Sequence, residues 1–184
     1  MKEPSQRLGD RLGTTVHESP LEFKLRRLAR ALPWPGADSL EAWLVAVANA
    51  RGARIVTLPA EPAAAAQAPA PAALSNEELV VALCALQRAD RPQILRLAAQ
   101  LVSRGQLDVG SLRLVARRER VERVLAELAR QALKVEPSHP TWHSLLEAFG
   151  ALPHLRSPLL HWTRLANPLF QPGKCDPIGW RLVA

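Results

Sequence analysis

Tyrosine is missing from this 184-residue sequence, and its eight aromatic side chains are five tryptophans and three phenylalanines. Strand-forming residues are correspondingly scarce. Leucine and alanine, together with Arg, Glu and Gln, rank high in helix propensity. An all-β fold is therefore disfavoured, and we expect an all-α protein.

Cysteine is also scarce, since only Cys84 and Cys175 occur. Cys84 lies in the apolar run 80–84, where a thiol packs as a small hydrophobe, so we expect no disulfide framework. No apolar stretch approaches the roughly 20 residues of a membrane helix. The first ten residues mix charges of both signs and lack the apolar segment of a signal peptide. These features predict a cytoplasmic protein without a membrane segment.

Sequence motifs of common enzymes are missing as well. The chain has no Gly-x-Gly-x-x-Gly, no phosphate loop, no His-Glu-x-x-His and no Gly-x-Ser-x-Gly. Three glutamates, Glu119, Glu122 and Glu127, stand in an Arg-rich helix. Glu119 can reach Arg123 at four-residue spacing, which is typical of a solvated helix surface. We therefore expect no catalytic residue and no cofactor.

What the sequence does contain is a series of helix start signals. A Ser or Asp followed three residues later by Glu or Gln predicts a capping box at a helix N-terminus. The pairs that fit are Ser19 and Glu22, Asp38 and Glu41, Ser75 and Glu78, and Asp90 and Gln93. A longer helix should begin at Asp108 or Ser111 and run to about Lys134. In it Leu114, Val121 and Leu128 recur every seventh residue as a buried row.

Arg118 interrupts that row, so two shorter helices hinged near Arg117 are the alternative. The predicted organisation is a small two-helix N-terminal unit, a linker, a bundle of about five helices and an irregular tail packing on the bundle. The segments are a flexible leader at 1–18, the helical unit at 19–58 with room for one short strand at 54–58, a Pro/Ala-rich linker at 59–74, the bundle at 75–166 and the tail at 167–184.

Two histidines, His139 and His143, are the best candidates for metal ligands, because four-residue spacing places two imidazoles on one helix face. Pro140 argues against the pair, since proline favours the first helical position and leaves His139 at the cap. A third ligand would have to come from His154, His161 or Cys175. We therefore predict that no metal is bound.

Arginine dominates the positive charge, with 24 Lys and Arg against 17 Asp and Glu. Arg113, Arg117 and Arg120 are spaced i, i+4 and i+7, with Arg118 and Arg123 on flanking rows. On one helix they would form a basic stripe able to bind a phosphate backbone. The alternative is a solvated face balanced by neighbouring glutamates, in an Arg-rich composition typical of GC-rich bacterial genomes.

Residues 25–33 and 51–59 resemble the leader that precedes the metallopeptidase core in bacterial ImmA/IrrE-like regulatory proteins. The stretch from 25 to 59 covers about a fifth of the chain. The His-Glu-x-x-His core of those proteins is absent, so the resemblance carries over neither peptidase activity nor membership.

Three functional hypotheses follow. The first is a non-enzymatic helical interaction module that docks on a protein partner, as part of a bacterial cytoplasmic complex or regulatory system. The second is a nucleic-acid-binding protein that uses the arginine stripe. The third is a metal-dependent enzyme that uses His139 and His143.

Overall fold

A computed structural model describes residues 19–53 and 71–155, except for 86, 90, 105, 106 and 135. Every regular element in this part of the chain is a helix, which confirms the all-α prediction. The helices are α1 (Pro20–Ala31), α2 (Leu40–Ala50), α3 (Asn76–Leu83), α4 (Pro92–Ser103), α5 (Val109–Arg118), α6 (Glu122–Ala132) and α7 (Pro140–Phe149). The strand predicted at 54–58, most of the linker and the C-terminal tail lie outside the described residues.

Helix starts follow the local sequence signals in part. The Ser75 hydroxyl accepts a hydrogen bond from Glu78 N at 3.1 Å, and the Glu78 carboxylate accepts one from Ser75 N at 3.0 Å, which confirms this capping box. The start predicted at Asp38 is wrong by one residue, because the Ser39 hydroxyl caps α2. The start predicted at Asp90 is also wrong. Arg91 is the N-cap of α4, because Pro92 fixes the first helical residue.

The long central helix predicted from Ser111 to Lys134 is wrong, and the alternative of two hinged helices is right. The chain breaks between α5 and α6, where Arg120 adopts a φ of 58°. An uninterrupted helix would carry Arg118 into the apolar row. The turn instead resets the register, so that Val121 is 1% exposed. The same break leaves Leu114, which was expected in the buried row, 70% exposed.

The core is built around α3, whose residues from Leu79 to Leu83 are all buried. This helix contacts α1, α2, α4 and α5, while α7 packs mainly on α6. The two N-terminal helices therefore share one apolar cluster with the later five. Trp43 illustrates the packing: it is 2% exposed, and its indole nitrogen donates to the Leu32 carbonyl oxygen at 2.9 Å.

Arg51 joins the end of α2 to the start of α3. Its guanidinium donates to Asn76 Oδ1 at 2.8 Å, to the Pro71 carbonyl at 3.1 Å and to the Leu74 carbonyl. The next residue, Gly52, has a φ of 89°, a conformation that side chains other than glycine rarely adopt. Arg51 and Pro71 are thus held together at the junction of α2 and α3.

None of the helices in the described ranges is long and apolar enough to cross a membrane.

Candidate docking surface

The break after α5 changes the arrangement of the five candidate arginines. Arg113, Arg117 and Arg118 lie on α5, Arg120 lies in the turn after it, and Arg123 lies on α6. Arg113 is half-buried, and the other four are exposed. The spacing expected for a single-helix stripe is therefore interrupted at Arg120, although Arg117 and Arg118 do share one solvent-exposed face.

Leu114 lies in the middle of that face. It is the most exposed of the three large exposed hydrophobic side chains in the described chain, and helical spacing places it one turn before Arg117 and Arg118. Gly110 and Ser111 lie one turn earlier on the same side. We define the α5 face as Gly110, Ser111, Leu114, Arg117 and Arg118, all of them exposed. None of the five carries a negative charge.

Neighbouring side chains hold both arginines of the α5 face in place. The Arg117 guanidinium carbon lies 5.8 Å from the centre of the Phe149 ring, within the range of a cation–π contact. Arg118 Nε donates to Glu119 Oε1 at 3.1 Å. Because both guanidinium groups are already oriented, less rotamer entropy is lost when a ligand binds them.

Glu119 ties the α5 face to the N-terminal helix. The same oxygen, Oε1, accepts a hydrogen bond from the backbone N of Leu21 in the first turn of α1, at 3.3 Å. The Glu119 side chain is only 6% exposed. Its predicted pairing with Arg123 is wrong, because the turn at Arg120 breaks the four-residue spacing. No local sequence signal could have found a partner 98 residues away.

Four acidic side chains are turned inward, each against a basic partner. Glu22, Glu78, Glu119 and Glu127 are 14%, 16%, 6% and 7% exposed. Their ion-pair partners include Arg88, Lys24, Arg118 and Arg130, respectively. Each of these four carboxylates therefore already has a basic partner within the fold.

Glu127 anchors the chain after α7 to α6. Its carboxylate accepts hydrogen bonds from Gln131 Nε2 at 2.8 Å and from Arg130 Nη1 at 3.1 Å, and lies 3.2 Å from His154 Nδ1. Arg130 Nη2 donates to the Gly150 and Leu152 carbonyls, both at 2.8 Å. The prediction that Glu127 is a solvated surface residue is wrong, because α6 turns it toward this cluster.

Replacing Glu127 with Gln should change how stability depends on pH. Burial alone would raise the pKa of Glu127, but hydrogen bonds from Gln131, Arg130 and His154 outweigh it and lower the pKa below its ordinary value of 4.5. A lowered folded-state pKa gives stability that is fully present above the unfolded pKa and is lost as pH falls through the folded one. The excess stability of wild type over E127Q should therefore shrink as the pH falls below about 4.5.

Urea unfolding of both proteins at several pH values between about 3 and 7 would measure this difference. E147Q supplies the matched control, because it removes an exposed carboxylate outside this cluster. A difference between wild type and E127Q that stayed constant down to the lowest pH would contradict the role assigned to this carboxylate.

The two histidines proposed as metal ligands contact backbone oxygens instead. His139 is the N-cap of α7, with Pro140 at the first helical position as the sequence predicted. His139 Nε2 lies 2.9 Å from the Ser103 carbonyl, and His143 Nε2 lies 2.6 Å from the Pro137 carbonyl. A carbonyl oxygen only accepts, so both nitrogens act as donors. Within the described ranges no group of three or more His, Cys, Asp or Glu could hold a metal, while His161 and Cys175 lie outside them.

The chain matches no protein-family model, no curated protein and no solved structure. The resemblance of residues 25–59 to the leader of ImmA/IrrE-like proteins gains no support from these comparisons. A functional proposal therefore has to rest on the chemistry of the surface.

Proposed function

We propose that this protein is a non-enzymatic docking module that binds an acidic, amphipathic segment of a partner protein on the α5 face. The observation that carries the proposal is the 70% exposure of Leu114 one helical turn before the exposed Arg117 and Arg118. Its setting is a regulatory or assembly complex in the bacterial cytoplasm.

The chemistry of the α5 face selects for such a partner. Covering a leucine side chain with apolar groups stabilises a complex, and complete burial contributes about 1.5–3 kcal/mol to the binding free energy. A guanidinium forms paired hydrogen bonds with a carboxylate in a fixed geometry. A partner helix with Leu or Phe among Asp and Glu residues would cover Leu114 with apolar groups and would place carboxylates against both arginines.

The position of Leu114 in the sequence supports the same conclusion. It occupies a place in the heptad pattern where a leucine normally packs into the core, yet the fold leaves it in water. Departures of this kind from the local pattern are expected at functional sites. The support that Phe149 and Glu119 give to the two arginines is also what a preformed binding site requires.

The test uses a fluorescent synthetic peptide of about 20 residues, with leucines at helical spacing among Asp and Glu. Fluorescence anisotropy should detect binding to wild type. Leu114→Ala should weaken that binding by about tenfold, because the leucine contact is lost. The double variant R117Q/R118Q should flatten the dependence of affinity on salt, because it removes the charge contacts.

Two controls separate docking from generic attraction. Leu32 is 49% exposed at the end of α1, so L32A removes a comparable apolar side chain elsewhere and should leave affinity unchanged. A peptide of equal charge with serine in place of leucine should bind wild type no better than L114A does. Equal affinity of folded wild type and folded L114A for the acidic peptide would overturn the proposal.

Binding of a nucleic-acid backbone is the second candidate function for this region. The observation that favours it is the exposure of Arg117, Arg118, Arg120 and Arg123 around the junction of α5 and α6. We expect wild type to show only the weak duplex binding of any chain with net charge +7, and to lose it at physiological salt. Duplex binding that survives such salt and disappears in R113Q/R117Q/R120Q, with circular dichroism unchanged, would place this function first.

A further inference from the structure

The outer side of α1 carries a second exposed apolar residue among arginines. Phe23 is 59% exposed, and the arginines at positions three, four and seven residues later lie on the same side of the helix. We define the α1 face as Phe23, Arg26, Arg27 and Arg30, all exposed. From Phe23 to Arg30 it extends about 10 Å along the helix axis.

The acidic side chains near this face pair with basic residues outside it, and Glu22 also reaches Arg26 of the face. The carboxylate of Glu22, the acidic residue of α1, is 14% exposed and pairs with the buried Arg88 at 3.3 Å, while its oxygen lies 3.6 Å from Arg26. Lys24, on another side of α1, pairs with Glu78 at 2.7 Å. Among the residues that the structure describes, no carboxylate pairs with Arg27 or Arg30.

The identity of the exposed apolar residue distinguishes the α1 face from the α5 face. Leucine offers an apolar contact without a planar surface, whereas phenylalanine offers a π face on which a nucleobase can stack. Arginines beside an exposed aromatic ring are the combination that proteins use to bind single-stranded nucleic acid without sequence preference. The bases of a duplex are stacked on one another and are not available to such a ring.

We propose that the α1 face binds single-stranded nucleic acid, with Phe23 stacking on a base and with Arg27 and Arg30 contacting phosphates. The inference rests on observations separate from those behind the function proposed for the α5 face, because the two surfaces share no residue. The shortness of the α1 face limits the contact to a few nucleotides.

The test measures fluorescence anisotropy of a labelled oligothymidylate with the full chain. Phe23→Leu keeps the apolar character but removes the π face, and it should weaken binding by about 5- to 30-fold. Phe23→Trp should restore wild-type affinity or exceed it. R27Q/R30Q should reduce the slope of log affinity against log salt by about 1.4, the value for two phosphate contacts to a single strand.

Controls use the other surface and the other form of nucleic acid. L114A should bind oligothymidylate as wild type does, and duplex DNA of equal length should bind more weakly than the single strand. Absence of oligothymidylate binding, or equal affinity of F23L and wild type, would overturn the inference. Loss of acidic-peptide binding in F23L would also overturn the inference, because it would show that the α1 face binds the peptide instead. Because Phe23 and both arginines are exposed, circular dichroism should show these variants folded.

Discussion

Replacing Arg88 with Met should lower the free energy of unfolding by about 3–5 kcal/mol, the range for removing one member of a buried ion pair. The side chains of Arg88 and Glu22 are 6% and 14% exposed, and two donors of the guanidinium lie 3.3–3.4 Å from the carboxylate. Arg88 Nη1 also donates to the Ala82 carbonyl at 3.1 Å. The variant leaves a carboxylate with little access to water and without this partner.

A double-mutant cycle would show whether the loss comes from the stranded charge. The second variant, E22Q, removes the negative charge, and R88M/E22Q removes both. We expect the double variant to be more stable than the sum of the two single losses predicts, because neither partner then remains as a buried ion. Chemical denaturation measures all four proteins. Strict additivity of the two losses would show that Arg88 acts through packing alone.

Replacing Trp142 with Ala should cost about 3–5 kcal/mol, the typical loss when a large aromatic side chain is removed from a core. Trp142 is fully buried, and its indole nitrogen donates to Glu136 Oε2 at 3.0 Å. Ser103 Oγ donates to the same oxygen at 2.7 Å, so the tryptophan completes a polar cluster between α4 and α7. A loosened α7 also removes support from Arg117, whose guanidinium lies over Phe149.

Trp142→Phe separates the two contributions, since it keeps an aromatic ring and loses the indole N–H. Its cost should fall between wild type and W142A, at about 1–3 kcal/mol for the donor lost to a buried carboxylate. On the same helix, the exposed Glu147 provides E147A as a control, with an expected change within about 0.5 kcal/mol. If W142F were as unstable as W142A, the phenyl ring would contribute nothing to stability at this site, and the expected intermediate cost would be wrong.

Local signals in the sequence predicted those features that depend on neighbouring residues. The capping box at Ser75 and the proline at the start of α7 need only a few adjacent residues, and both were predicted correctly. Arg118 was likewise visible as an interruption of an apolar row. The hinge was predicted near Arg117, whereas the turn lies at Arg120, because its position depends on Arg120 adopting a positive φ that lets Val121 enter the core.

The candidate surfaces could be predicted only in part, since they depend on contacts between distant segments. The arginines of α5 were found from their spacing. The exposure of Leu114 contradicted its heptad position, and nothing local distinguishes it from the buried Val121 and Leu128. The contact of Glu119 with Leu21 arises only when α1 packs beside the end of α5.

Glu119 offers a structural route by which ligands on the two proposed surfaces would be coupled. One carboxylate oxygen serves both the first turn of α1 and the guanidinium of Arg118. A ligand that draws Arg118 away leaves this oxygen to Leu21 alone and so alters the local stability of α1. Because coupling free energies are reciprocal, a ligand that steadies α1 changes the affinity of the α5 face by the same factor. Heterotropic cooperativity would then arise from a single shared acceptor, without any rearrangement of the helices.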